Sequence, residues 1–102
     1  MADTNNRLSI SDAQARIREI AKNGFITPSY HCRNDHPERN YSLVDVEYIL
    51  RNGVVTKEPE YDPRHQNWKY RVEGKTIDDD EAVAITVIIS HRELNVITVY
   101  PK

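Results

Sequence analysis

At Gly53 the spacing of apolar residues changes from three-and-four to two, and this change of period limits what the chain can become. Before it, "SDAQARIREIAKNG" sets Ala13, Ile17, Ile20 and Ala21 on one helical stripe, and "SLVDVEYILRNG" does the same with Leu43, Val46, Ile49 and Leu50. The pattern predicts a helix over 11–23, capped by Ser11 with Gln14 in the capping-box position and stopped by Gly24. It predicts a second over 42–52, capped by Ser42 with Asp45 in the box and stopped by Gly53. After Gly53, "VVTKEPEY", "NWKYRVEG", "AVAITVIIS" and "LNVITVY" read as strands, the first placed at an edge by Pro59. Short polar connections suit antiparallel hairpins. The expected fold is α+β, two N-terminal helices packed on one face of a four-stranded antiparallel β-meander.

Alternation then assigns faces. Trp68, Tyr70, Val72, Val83, Ile85, Val87, Ile89, Ile97 and Val99 are expected to face the helices. Lys69, Arg71, Ala84, Thr86, Ile88, Thr98 and Tyr100 then share the opposite face, cationic and hydroxyl-bearing in one half and apolar in the other. That assignment holds only while no bulge shifts the register.

With 102 residues the chain is expected to form a single domain, 1–102, with residues 1–8 frayed. Fourteen Lys+Arg against sixteen Asp+Glu leave a net charge of -2, so any phosphate binding has to come from a local cluster. No stretch approaches a membrane span and no apolar leader opens the chain, so the expectation is a cytoplasmic protein without a membrane partner. Cys32 is the single cysteine and has no disulfide partner within the chain.

The segment between the helices, "SYHCRNDHPERNY", is the densest in chemistry-bearing side chains. His31, Arg39, Ser42, Asp45 and Val46 fall at the offsets of a pattern that resembles the domain-of-unknown-function family 4258. Tyr41 stands where that pattern has Ile, and Asp35-His36 where it has Arg-Met. The likeness continues through "WKYRVEGKTIDDDEAVAITVII" and "VITVY", so it covers residues 31–101. The family is in turn similar to the RelE-like and BrnT-like ribonuclease toxins. This implies metal-independent RNA cleavage, an RNA substrate and a cognate antitoxin protein as partner.

Such cleavage needs a proton acceptor for the 2′-hydroxyl, a donor for the leaving oxygen and cations for the charge developing on phosphorus. His31 is the candidate acid or base. Arg39 and Arg71 are fork-shaped phosphate ligands, Lys69 is a point charge, and Tyr100 or Thr98 can orient the phosphate. The plainer reading has His31 bonded within its loop and Arg39 paired with Glu38 or Asp45. "HCRNDH" matches no zinc spacing, and "DDDE" lacks the alternation of a calcium loop, so no metal or other cofactor is expected. The competing class is a non-catalytic interaction module, or a homodimer, using the open sheet face.

Overall fold

The computed structural model describes residues 7–28 and 41–102. In chain order the elements are α1 (Ile10–Asn23), β1 (Phe25–Pro28), α2 (Leu43–Asn52), β2 (Val54–Val55), β3 (Glu60–Asp62), β4 (Asn67–Lys75), β5 (Glu81–Ser90) and β6 (Glu93–Pro101). His31, Cys32 and Arg39 lie outside the described residues.

Both helices stand where the apolar stripes place them, and their ends show why. The Ser42 hydroxyl accepts the Asp45 N–H at 3.1 Å while the Asp45 carboxylate accepts the Ser42 N–H at 3.3 Å, a complete capping box. The cap of α1 is Ser9 instead of Ser11, with its side chain accepting from the Asp12 N–H. Starting two residues earlier brings Ile10 against the core and frees Gln14, whose side-chain oxygen accepts the Val55 N–H at 3.0 Å. A residue expected to close α1 on itself therefore ties α1 to β2. Leu8, expected to fray, packs against the core and donates its N–H to the Tyr70 hydroxyl at 3.0 Å.

The α+β class holds, but the four-stranded antiparallel meander is corrected to a six-stranded mixed sheet. Its order is β1-β6-β5-β4-β2, with β3 also paired to β4. Two local features account for the difference. "FITP" is too short to show a period, yet it lies parallel to β6 with Phe25 opposite Glu93 and Pro28 opposite Val96. "VVTKEPEY" is two strands instead of one. Val55 pairs with Val72 and Glu60 with Lys69, so Thr56, Lys57, Glu58 and Pro59 stand against Tyr70 and Arg71 and the edge bows outward there.

The helices and one sheet face enclose the core. Ala13, Ile17 and Ile20 from α1 and Val46, Ile49 and Leu50 from α2 meet Tyr70, Val72, Ala84, Ile88, Leu94, Val96 and Val99. Residues directly opposite in antiparallel strands share a face. Since Tyr70 pairs with Thr86 and Val72 with Ala84, the face assignment of β5 is inverted from expectation. Ala84, Thr86 and Ile88 turn toward the helices, while Val83, Ile85 and Val87 sit opposite Glu73, Arg71 and Lys69 on the other face. Thr86 is buried there without cost because its hydroxyl donates to the Asn95 carbonyl at 3.0 Å. A bulge explains β6. The register slips between Ile85 and Thr86, leaving Ile97 as the extra residue, so Leu94 and Val96 share the core with Val99 although their parity differs. Ile97, expected to face the helices, lines the opposite side.

Candidate functional site

The open face of the sheet carries a concavity of about 610 Å³, walled by β4, β5 and β6 and by the bowed edge between β2 and β3. Lys69, Arg71, Thr98 and Tyr100 all line it. They come together because Arg71 pairs with Ile85 and Ile85 with Thr98, which puts Arg71 and Thr98 in one row two strand spacings apart, about 10 Å. Tyr100 lies in the next row, opposite Val83. Its phenol reaches back to accept an Arg71 Nη1 hydrogen at 2.8 Å, and the Arg71 guanidinium stands 6.0 Å from the Tyr100 ring centre.

Arg71 is held on both sides. Its Nε donates to the Glu73 carboxylate at 3.0 Å, which leaves Nη2 without a partner among the described residues. The Glu73 bond, more than any other contact, raises the Arg71 pKa. Glu73 in turn accepts from the Thr56 hydroxyl at 2.6 Å and pairs with the Lys102 ammonium at 2.9 Å. Those bonds, with the one from Arg71, depress the Glu73 carboxyl to about 2. The guanidinium is therefore fixed in orientation, and its Nη2 edge, unpaired among the described residues, suits an anion. Lys69, Lys57 and Arg64 also line the concavity and form no ion pair among the described residues. Its acids are Glu58, which pairs with Arg7, Glu60, and Asp62, which pairs with His65.

The His65–Asp62 pair escaped the sequence reading, in which the residues between "VVTKEPEY" and "NWKYRVEG" are only a short polar connection. The imidazole Nδ1 lies 2.7 Å from the Asp62 carboxylate, whose other oxygen accepts the Arg64 N–H at 2.9 Å. Burial raises the Asp62 pKa, but the hydrogen bonds from the His65 imidazole and the Arg64 N–H, together with the Lys69 charge, outweigh it and leave it lowered. An Asp and a His three positions apart around Pro63 was the available signal. The roles of Glu73 and Lys102 had none, since each depends on strands far apart in sequence.

Fold and site together define an α+β domain whose mixed sheet carries a cation-lined groove on the face away from its helices. The sequence model of the family described as "Domain of unknown function (DUF4258)" matches residues 28–101, and the chain belongs to that family. The match begins at the end of β1, so α1 lies ahead of it although it supplies part of the core. No curated protein and no solved structure matches the chain. Among the described residues, no helix is long and apolar enough to cross a membrane, and no group of three or more His, Cys, Asp and Glu side chains is placed to hold a metal ion.

Proposed function

We propose that the protein is a toxin-like, RNA-binding domain of the cytoplasm that cleaves single-stranded RNA by side-chain acid–base chemistry and is restrained by an antitoxin protein. The observation that carries this reading is the convergence of Lys69, Arg71, Thr98 and Tyr100 on one groove, with Arg71 fixed by Tyr100 and Glu73. A guanidinium locked in place, an ammonium and two hydroxyls suit a phosphodiester, whose non-bridging oxygens accept hydrogen bonds from all of them. With the phosphate bound there, Arg71 and Lys69 offset the charge that grows on the pentacoordinate phosphorus, and the Tyr100 O–H orients it. His31 and Arg39 enter the proposal through the family pattern, His31 as acid or base and Arg39 as a further cation.

The test is binding and cleavage of a labelled single-stranded RNA by the purified protein in excess EDTA, alone and on ribosomes. Affinity is expected to fall with salt, and Arg71→Ala or Lys69→Ala to weaken binding and flatten that dependence. His31→Ala is expected to slow cleavage by about 100-fold or more. Absence of both binding and cleavage on either substrate overturns the reading, and the open face is then better read as a protein-interaction or homodimer surface.

A further inference from the structure

We infer that His65 is a catalytic base of this groove and that Asp62 is its positioning residue, an inference that rests on the phosphodiester reading above. Three observations lead to it. His65 and Asp62 both line the concavity that holds Lys69, Arg71, Thr98 and Tyr100. The Asp62 side chain is only 13% exposed, and its carboxylate holds the imidazole Nδ1 at 2.7 Å. Asp62 is itself fixed by the Arg64 N–H, and its lowered pKa keeps it ionised and able only to accept hydrogen bonds.

An ionised carboxylate at Nδ1 requires the imidazole to carry its hydrogen there. In the neutral ring the lone pair then resides on Nε2, which has no partner among the described residues. This is the arrangement in which an acidic side chain sets the tautomer and orientation of a histidine base. The turn holds it stiffly: Gln66, next in the chain, has φ of 52°, and buried Asn67 bonds the Ile88 carbonyl at 2.9 Å. The base is thus mounted on the β3–β4 turn at one part of the groove wall, and the cations are mounted on the neighbouring strand.

Nε2 takes the proton of a ribose 2′-hydroxyl, and the 2′-oxygen forms a bond to phosphorus as the bond from phosphorus to the 5′-oxygen breaks. The 5′-oxygen takes a proton from a general acid of the site, and the proton on Nε2 returns through solvent to restore that acid. The products are a 2′,3′-cyclic phosphate and a 5′-hydroxyl.

The experiment measures cleavage of a labelled RNA by the full chain in EDTA, comparing wild type with His65→Ala, His65→Gln and Asp62→Asn, the fold of each checked by circular dichroism. A parallel heteronuclear spectrum reads the His65 tautomer. Both His65 variants are expected to lose about 100-fold or more, with KM little changed, and added imidazole is expected to restore part of the Ala variant's rate. Asp62→Asn is expected to lower kcat and to move the ring hydrogen off Nδ1 in the spectrum. Cleavage by wild type with folded His65 variants within twofold of it overturns the role of His65 and leaves the ribonuclease reading standing. A wild-type spectrum with hydrogen on Nε2 overturns the role of Asp62. Absence of wild-type binding and cleavage removes the ribonuclease reading and this inference with it.

Discussion

Gly53 is where the shape of one residue does most for the fold. It ends α2 with its N–H bonded to the Ile49 carbonyl at 2.7 Å, and its own carbonyl takes the Arg18 guanidinium at 2.8 Å. A Cβ built there would stand 2.6 Å from the Ile49 oxygen, 2.7 Å from the Glu73 oxygen and 2.9 Å from a Val72 methyl. Two of those atoms are backbone and have nowhere to move. Gly53→Ala is therefore expected to destabilise the protein by about 3 kcal/mol, measured from urea denaturation; an unchanged midpoint would show that the helix–strand junction gives way freely. At this scale the sequence was legible as punctuation. A glycine after an apolar stripe announces a helix end, but the contact with β4 that makes Gly53 irreplaceable is a matter of distant chain.

Among elements, α2 is the one most fully written into its own residues. Its cap, box partner, stripe and stop all lie within 42–53, so local chemistry alone specifies it. Ser42→Ala removes the hydroxyl that bonds the Asp45 N–H and is expected to cost about 1 kcal/mol, read as a lower denaturation midpoint at constant slope; equal midpoints would show that Asp45 alone suffices at the helix start. The strands were less legible. The cap of α1, read at Ser11, lies at Ser9, with Ile10 packed against the core. The inward and outward sides of β5 are decided by its pairing with Tyr70 and Val72, because a strand apolar on both faces has no parity of its own. The slip at Ile97 adds a backbone residue without any marker in side-chain type. Lys69, Arg71, Thr98 and Tyr100 share the groove because β4 and the end of β6 alternate cleanly, whereas Ala84, Thr86 and Ile88, read onto that face with them, turn toward the helices; the Asp62–His65 pair was not legible because a turn has no alternation to read.

For the whole molecule, Glu73 is the joint that draws distant segments together. It gathers Thr56 from the bowed edge, Arg71 from its own strand and Lys102 from beyond β6. With its folded pKa depressed from 4.5 to about 2, it contributes stability that is fully present above pH 4.5 and is lost as pH falls toward about 2. Glu73→Gln is expected to lower stability at neutral pH and to flatten the stability profile across that acid window, followed by denaturation at a series of pH values; parallel profiles for the two proteins would show that the joint contributes nothing. The parallel pairing of β1 with β6 has a consequence of another kind. A ribosome delivers α1 and β1 first and their strand partner last, with Pro28 waiting for Val96. Until then the apolar stripe of α1 has no finished sheet to cover, even though β3–β4, β4–β5 and β5–β6 join strands that are neighbours in sequence and can pair as hairpins. The domain therefore completes its fold after its own translation, and the groove, which needs Thr98 and Tyr100, comes into being only with the final strand.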